Sequence, residues 1–247
     1  MSEITVITPA FNAESNIESC ILSVYHQSQL VDEHIVVDDG STDRTIEIVE
    51  QLRAYVPKIK LLKQANKGPA SARNLGIRES DSRYIAFLDS DDLWYPNKLD
   101  KQLEFMSETA AALCFTAYEV FDTDPSYPIR IREAPAKVTY NDLLNRNHIG
   151  CLTAIYDTAQ VGKVYMPEIR MRQDWGLWLR IVKRSGKPAL GLNQPLSKLR
   201  LRPGSLSYNK ALALWYNYRL LHEFESLHPL DAAARVLKGG ISAIKGK

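Results

Sequence analysis

Residues 84–92 read Tyr-Ile-Ala-Phe-Leu-Asp-Ser-Asp-Asp, an apolar run that ends in three carboxylates. The run has the length and composition of a buried strand, and open α/β sheets bind ligands beyond the carboxyl ends of their strands. Asp89, Asp91 and Asp92 are too close together for all three to be ionised without either raised pKa values or a bound cation. We favour a divalent metal that bridges the protein to an anionic ligand such as a diphosphate.

The composition is that of a globular chain of 247 residues, 45% of them hydrophobic, which suffices for one large α/β domain or two small ones. The net charge of +2 gives no reason to expect nucleic acid as a partner. A strand pattern that begins by Ile4 leaves no room for a signal peptide, and no window approaches a membrane span. We therefore expect a cytoplasmic protein. Its three cysteines form no C-x-x-C pair, so we expect neither a zinc knuckle nor a disulfide framework.

Short runs rich in Ile and Val alternate with helical patterns over the first hundred residues. The predicted strands are 4–8, 34–37, 59–62 and 84–88, and the predicted helices are about 14–26, 42–54, 69–79 and 96–107. This alternation predicts right-handed βαβ units with a parallel sheet. Farther along, the predicted strands are 112–121, 129–131 and 196–201, and the predicted helices are 140–146, 174–184 and 209–226.

Two acids follow the second predicted strand, in Val36-Val37-Asp38-Asp39-Gly40-Ser41. Residues 41–43 suit the capping of the next helix, and Gly40 suits a positive φ. Capping does not require Asp38 and Asp39, whose paired charges are better explained by contact with a polar ligand such as a base or ribose. Cap and ligand site both stay open for this motif.

The first strand ends in Thr8-Pro9-Ala10-Phe11-Asn12. Pro9 lacks an N–H and suits an exit from the sheet, and Asn12 is a candidate helix N-cap. On its position alone, Phe11 is expected in the core. The alternative is that its ring stacks on a flat base at the mouth of the sheet.

Residues 66–76 consist of a basic, glycine-containing segment followed by the start of a predicted helix. The helix is predicted to start at Pro69, and helix N-termini attract phosphate. Arg73 then suits a bidentate contact with a diphosphate, although a solvated helix face is the alternative. Neither the Walker spacing nor G-x-G-x-x-G is present, which disfavours an ATP or NAD cradle.

A lone acid among bases begins a later helix, in Arg172-Gln173-Asp174-Trp175. Asp174 is either an N-cap or a general base that accepts a proton from an incoming hydroxyl. Trp175 belongs in the core by periodicity. Its alternative is a platform for the apolar face of an acceptor sugar.

These motifs, in this order, resemble the inverting family-2 glycosyltransferases of bacterial polysaccharide type, over roughly residues 3–205. The resemblance implies a GT-A fold: an α/β domain with a mostly parallel, Rossmann-like central sheet flanked by helices. The expected domain covers residues 1–208, with a nucleotide-binding half at 1–110 and an acceptor-binding half at 111–208. Residues 209–247 are expected to form a C-terminal helical extension and basic tail.

The implied reaction moves a sugar from a nucleotide-sugar, expected to be a UDP-sugar, to a hydroxyl of a saccharide or lipid-linked saccharide in cell-surface polysaccharide synthesis. The implied roles are a catalytic base (Asp174), nucleotide contacts (Pro9, Phe11, Asp38, Asp39, Arg73 and Asp89), ligands for Mn²⁺ or Mg²⁺ (Asp91 and Asp89), and contacts to the diphosphate or acceptor (Arg202, Gln173 and Trp175). The family often has Tyr at Phe11 and Glu at Gln173. The second departure removes a negative charge and makes Asp174 easier to ionise.

Two rival functions and one possible membrane contact follow from the same residues. Asp89-Ser90-Asp91 also fits haloacid dehalogenase-type phosphatases, but those enzymes carry the motif after the first strand. Gln173 keeps open a catalytically silent subunit that binds sugar nucleotides in a polysaccharide assembly complex. The basic tail suits peripheral association with the inner face of the membrane, whereas Gly239-Gly240 favours a frayed, solvated end.

Overall fold

The computed structural model describes residues 3–56, 58–201 and 210–245. The strands are β1 (Ile4–Ala10), β2 (Glu33–Asp38), β3 (Ile59–Lys63), β4 (Tyr84–Phe87), β5 (Leu93–Trp94), β6 (Leu113–Phe121), β7 (Arg130–Arg132), β8 (Lys137–Val138), β9 (Ile155–Asp157) and β10 (Ala189–Arg200). The helices are α1 (Ile17–Tyr25), α2 (Thr45–Arg53), α3 (Pro69–Glu79), α4 (Lys98–Thr109), α5 (Tyr140–Asn145), α6 (Thr158–Val161), α7 (Gln173–Ser185), α8 (Lys210–Arg219) and α9 (Pro229–Lys245).

These strands form one mixed sheet with the order β3-β2-β1-β4-β9-β6-β10-β5. In the same sheet, β7 pairs with β6 and β8 pairs with β10. Strands β1 to β4 are mutually parallel, as predicted. Strand β9 is antiparallel to both β4 and β6, and β6 is parallel to β10. The carboxyl ends of β1, β2, β4, β6 and β10 therefore lie along one edge of the sheet.

Helices cover both faces of the sheet, because successive strand residues point to opposite sides. Ile7 and Phe87 pack with residues of α3, α5 and α7 on one face. Val6 and Ala86 pack with residues of α1 and α4 on the other. The α/β class, with a central sheet between helices, is thus confirmed.

The sequence located most of the long elements to within a few residues, but β10 begins at Ala189 rather than near 196 and α9 was not predicted as a separate helix. Helix α3 has the predicted bounds, and Thr139 caps α5 in a capping box with Asp142. Strands β5, β8 and β9 were not predicted, because two or three residues carry too little periodicity to be recognised. The sheet is consequently less parallel in its second half than the sequence indicated.

The C-terminal extension packs onto the main core. Leu221, in the π-helical segment Leu220–Phe224, and Ala232 of α9 are fully buried there. The expected frayed end is wrong for the described residues, since α9 continues through Gly239. A Cβ at Gly239 would lie 2.1 Å from the carbonyl oxygen of Asn145, so the glycine permits a close approach of α9 to α5. The boundary predicted at residue 208 lies outside the described residues.

Candidate active site

The predicted site residues come from separate parts of the chain and meet at the carboxyl edge of the sheet. Phe11 follows β1, Asp38 ends β2, and Asp89 follows β4. Asp174 joins them from the first turn of α7, and its electrostatic coupling to Asp89 and Arg73 places these three side chains in one cluster.

The carboxylate of Asp38 holds the turn that follows β2. Its Oδ2 accepts hydrogen bonds from the backbone N–H groups of Gly40 and Ser41, both at 3.1 Å. Gly40 has φ 83°, the positive value that the sequence predicted. The other oxygen of Asp38, Oδ1, is buried and accepts no hydrogen bond from the described residues. A buried carboxylate oxygen of this kind is completed when a ligand donates to it.

Asp39 ties the second strand to the start of α3. Its Oδ1 accepts from Gln64 Nε2 at 2.7 Å and from the Lys67 N–H at 2.8 Å, and its Oδ2 accepts from the Gly68 N–H at 2.8 Å. Both acids therefore have structural partners, and a ligand is not needed to explain their presence at the strand end. Contact of Asp38 and Asp39 with a nucleotide stays a prediction.

The turn after β1 presents an aromatic ring at the same edge. Phe11 is 46% exposed, so the expectation of a core position is wrong. Asn12 is not an N-cap: α1 begins at Ile17, and Asn12 Oδ1 instead accepts from the Thr42 N–H at 2.8 Å. Pro9 lies within β1, opposite Val37 of β2. The exposed ring is free to stack on a planar group, and that contact remains a prediction.

Arg73 is buried beneath the carboxylates and forms an ion pair with Asp89 through Nη2 and Oδ1. The alternative of a solvated helix face is therefore wrong. Burial opposes the guanidinium charge, but the negative charge of Asp89, with a smaller effect of Asp174, outweighs it and raises the pKa of Arg73. The Nε of Arg73 is buried and has no hydrogen-bond partner among the described residues. It is an available donor for an oxygen of an anionic ligand.

The remaining carboxylates of the cluster have different surroundings. Asp92 is 4% exposed, and its Oδ1 accepts from the Arg200 N–H at 2.9 Å, which fixes the end of β10. Asp91 is half-buried, and its backbone oxygen accepts from Arg200 Nε at 3.2 Å. Asp92 thus has a structural role, and metal binding by Asp91 and Asp89 stays a prediction.

The donor set fits a hard divalent cation completed by a substrate. Asp89 and Asp91 offer carboxylate oxygens, the ligands that Mg²⁺ and Mn²⁺ prefer. Over the described ranges no cluster of three or more His, Cys, Asp or Glu side chains could hold a metal. Mg²⁺ is commonly held by one or two carboxylates together with substrate phosphates, and this arrangement matches that pattern.

Asp174 lies in the first turn of α7, half-buried, and is not the N-cap, which is Arg172. Burial raises the pKa of Asp174, while the backbone N–H of Trp175 and the positive charges of Arg73 and Arg172 partly offset that rise. Asn147 Nδ2 donates to Asp174 Oδ2 at 3.1 Å. A carboxylate with a raised pKa, held by a side-chain donor, has the properties of a general base.

Three further candidates have different outcomes. Trp175 is 3% exposed and donates from Nε1 to the Leu143 carbonyl at 2.8 Å, so it belongs to the core and cannot be an acceptor platform. Gln173 is buried at the start of α7, and its contact with an acceptor stays a prediction. Arg202 lies outside the described residues.

Sequence reasoning did not identify Asn147 or Cys151 as site residues. Cys151 is partly buried, burial raises the pKa of its thiol, and the charges of Arg73, Asp89 and Asp174 also act on it. Both residues lie in an irregular segment between α5 and β9, where no periodicity indicates which side chains point into a site. The residues between them, His148-Ile149-Gly150, form no motif that could have indicated either residue.

Comparison with known proteins agrees with this arrangement. The family model described as glycosyl transferase family 2 matches residues 5–160. The chain is 41% identical to the putative teichuronic acid biosynthesis glycosyltransferase TuaG of Bacillus subtilis, over 98% of this chain and 96% of that protein. It is 35% identical to the Escherichia coli UDP-Glc:alpha-D-GlcNAc-diphosphoundecaprenol beta-1,3-glucosyltransferase WfgD, over 90% of this chain and 86% of that protein.

Solved structures share the fold at lower identity. Staphylococcus aureus TarS in complex with UDP-GlcNAc superposes with a TM-score of 0.76 at 20% identity, covering 97% of this chain and 73% of that one. The mannosyltransferase PcManGT of Pyrobaculum calidifontis, in complex with GDP-Man and Mn²⁺, gives a TM-score of 0.72 at 16% identity, covering 100% of this chain and 76% of that one. The phosphatase alternative is thereby excluded, and the silent subunit finds no support. The chain belongs to glycosyl transferase family 2.

Proposed function

We propose that this protein transfers a sugar, with inversion, from a UDP-sugar to a hydroxyl of a lipid-linked saccharide in cell-surface polysaccharide synthesis. The observation that carries the proposal is the coupling of Asp174 to the Arg73–Asp89 ion pair. It joins a candidate base to the candidate diphosphate site at one edge of the sheet. The names of TuaG and WfgD support the class of product, and that of WfgD supports a UDP-linked donor and a diphosphate-linked lipid acceptor.

The proposed nucleotide site lies between the turns after β1 and β2. Phe11 offers its exposed ring to the uracil, and Asp38 offers its unpartnered Oδ1 to a donor on the base or ribose. Asp39, already bound to three donors, contributes mainly by fixing the Lys67-Gly68 backbone and has one oxygen with room for a further bond. Pro9 lies inside β1 opposite Val37, so the expectation that it marks the exit from the sheet is wrong, and its contact with the nucleotide stays a prediction.

The proposed diphosphate site combines Arg73 with Asp89 and Asp91. Arg73 Nε is a buried donor for a phosphate oxygen, and Asp91 with Asp89 would hold Mn²⁺ or Mg²⁺. When bound, the cation supplies positive charge that stabilises the leaving diphosphate. The leaving group then needs no protein acid, so Asp174 is the one carboxylate that must exchange a proton with a substrate.

In the proposed reaction, Asp174 accepts the proton of the acceptor hydroxyl as its oxygen attacks the anomeric carbon from the face opposite the diphosphate. Asn147 donates to Oδ2 of the carboxylate and so orients the group that receives the proton. The raised pKa of Asp174 makes it a stronger base than an ordinary carboxylate. Inversion follows from a single displacement.

The test is turnover of a panel of UDP-sugars by the full chain with Mn²⁺, alongside calorimetric binding of UDP. Asp174→Asn is expected to abolish turnover while UDP binding is retained. Asp81→Asn is the matched control, because Asp81 is almost fully exposed and lies before β4 at the opposite edge. Binding of UDP without any turnover by the wild-type chain would favour the silent subunit instead.

We also propose peripheral membrane association through the C-terminal helix, with Leu237 and Lys238 exposed on α9. Arg235, in contrast, donates to Asn141 and Asn145 of α5 and is not available to lipid. No helix of the described chain has the length and apolarity to cross a bilayer. Leu237→Ser with Lys238→Glu should lower sedimentation with anionic vesicles; unchanged sedimentation would exclude this contact.

A further inference from the structure

The hairpin formed by β6 and β7 extends past the edge of the sheet that carries the site. The two strands are antiparallel, with Tyr118 opposite Arg132 and Val120 opposite Arg130. Because β6 runs parallel to β4, its carboxyl end lies on the same side as Asp89. The connection between the strands, residues 122–129, therefore projects beside the carboxylate cluster.

Two basic side chains of β10 fasten this connection in place. Arg200, whose backbone N–H donates to Asp92, also donates from Nη1 to the Thr123 carbonyl at 3.3 Å. Lys198 Nζ donates to the Pro125 carbonyl at 2.7 Å. Arg200 therefore bonds both to Asp92 and to the connection, and it fixes the position of the connection relative to Asp92.

The hairpin exposes large apolar side chains that contribute nothing to the core. Tyr127 is 77% exposed, Ile129 is 59% exposed and Ile131 is 55% exposed. The Ile129 N–H donates to the Val120 carbonyl at 2.7 Å, so the backbone is paired while the side chain stays outside. Ile129 and Ile131 lie two residues apart and share one face of the extended backbone, and Tyr127 precedes them in the turn. Neighbouring exposed apolar side chains are typical of interaction sites.

Arg130 and Arg132 lie on the other face of β7, the face shared with Tyr118. Both arginines are exposed, and neither forms an ion pair with a residue in the described ranges. Burial raises the pKa of Tyr118, and its electrostatic partners include both arginines together with Asp92 and Asp174. The face of the hairpin shared with Tyr118 is thus cationic, whereas the face that carries Ile129 and Ile131 is mainly apolar and also includes Glu119, opposite Ile131.

The acids of the hairpin do not cancel this charge locally. Asp124 Oδ1 accepts from the Ser126 N–H at 2.8 Å and is engaged in the turn, and Asp122 is exposed at the end of β6. Glu119 of β6 accepts from Tyr95 and lies 3.8 Å from Lys198, so it is engaged elsewhere, and Glu133 is exposed directly after Arg132. The positive charge is therefore concentrated on the strand that faces Tyr118.

We propose that the β6–β7 hairpin docks the lipid-linked acceptor, with Arg130 and Arg132 binding its diphosphate and Tyr127, Ile129 and Ile131 lying in the lipid interface. The assignment rests on the proposed function for the class of acceptor. A diphosphate complements two unpaired guanidinium groups, and an adjacent apolar patch suits the membrane that holds the lipid. The saccharide is then presented to Asp174 from the side of β6.

The test is sedimentation of the full chain with three kinds of vesicle: phosphatidylcholine alone, phosphatidylcholine with phosphatidylglycerol, and phosphatidylcholine with undecaprenyl diphosphate at matched charge. Wild-type protein should partition to the diphosphate vesicles about tenfold more than to the phosphatidylglycerol vesicles. Arg130→Gln with Arg132→Gln should remove that difference. Ile129→Ser with Ile131→Ser should lower partitioning to all three.

Matched controls lie at the opposite edge of the sheet. Lys58→Gln with Arg78→Gln removes two exposed charges, and Leu30→Ser with Tyr55→Ser removes two exposed apolar side chains. Equal losses in the control pairs, or equal partitioning of wild-type protein to both anionic vesicles, would overturn the proposal. UDP binding is measured in parallel: if UDP fails to bind while the vesicle preference persists, the proposed donor is wrong and the hairpin assignment stands.

Discussion

Asn147 donates a hydrogen bond from Nδ2 to Oδ2 of Asp174 over 3.1 Å, and its own Oδ1 accepts from the Ile149 N–H at 3.0 Å. The second bond fixes the orientation of the amide, so only the NH₂ group can face the carboxylate. Asn147 is therefore a positioning residue that limits Asp174 to one orientation. It lies in a segment whose sequence carries no motif.

Asn147→Ala is expected to lower kcat by about ten- to a hundredfold, the equivalent of one hydrogen bond to a charged group. The substitution removes a donor to the ionised form, so the pKa of Asp174 should rise further and the acid limb of the pH profile for kcat should move to higher pH. KM for the UDP-sugar should change little. Asn97→Ala is the control, because the Asn97 side chain makes no capping bond to α4. An unshifted acid limb would contradict the positioning role.

Asp174→Asn is expected to stabilise the fold at neutral pH. Burial raises the pKa of Asp174 above its ordinary value of 3.8, so ionisation costs more in the folded than in the unfolded state. This cost is absent at pH values below the ordinary pKa. It grows as the pH rises from the ordinary pKa to the raised pKa of the folded state, and it is complete above the raised pKa. Removing the charge should raise Tm by roughly 2–4 °C at pH 7 and have little effect near pH 3, measured by thermal unfolding. Asp81→Asn should leave Tm nearly unchanged at both pH values.

Lys98 gives the stability of this protein a pH dependence in the alkaline range. It is fully buried, with Nζ 2.6 Å from Gln102 Oε1 and 4.0 Å from the centre of the Trp94 ring, and burial lowers its pKa to about 7. Between that value and the ordinary 10.5, the unfolded chain binds one more proton than the folded chain. The free energy of unfolding should therefore rise by about 1.4 kcal/mol per pH unit across this window.

Urea unfolding of the wild-type chain and of Lys98→Met at pH 7 and pH 9 tests this dependence. Other groups titrate equally in both proteins. The difference between their pH dependences of the free energy of unfolding therefore reports the titration of Lys98. The variant should lack the rise, and Lys58→Met, at an exposed position, should retain it. Parallel slopes in wild type and Lys98→Met would show that the lysine does not titrate in this range.

Gly239→Ala is expected to weaken the docking of α9 on α5. Its Cβ would meet the Asn145 carbonyl oxygen at 2.1 Å, so backbone must move, at a cost of about 1–3 kcal/mol. Gly240→Ala is the matched control, because a Cβ there meets nothing within 4 Å and alanine favours the helix. Opposite effects of the neighbouring substitutions on the free energy of unfolding are expected. Equal effects would mean that α9 does not pack as described.

The sequence predicted the first half of the fold well because long strands and long helices, which differ in their hydrophobic periodicity, alternate there. Strands β1, β2 and β4 are buried on both sides and read as nearly continuous apolar runs, β3 at the end of the sheet is only partly buried, and the intervening helices show a 3.6-residue pattern. The antiparallel insertion of β9 between β4 and β6 was not predictable. Three residues of β9 carry no period, and the pairing joins residues about seventy positions apart.

The candidate site was predictable where its residues follow strands. Asp38, Asp89 and Asp91 end or follow parallel strands, and topology alone brings such positions to one edge. Arg73 was predicted to contact a ligand, but its burial under Asp89 depends on how α3 packs. Trp175 shows the converse: a suitable residue in a suitable motif points into the core.

By itself, the sequence determined the alternation of β1 to β4 with α1 to α3, the family and the chemical types of side chain at the site, because these depend on local periodicity and on motifs along the chain. Only the tertiary structure decided which oxygen of each carboxylate is already bound, that Asn147 holds Asp174, and that the β6–β7 hairpin reaches the same edge. Such relationships join residues distant in the chain, and they arise from packing and hydrogen-bond geometry that no local pattern encodes.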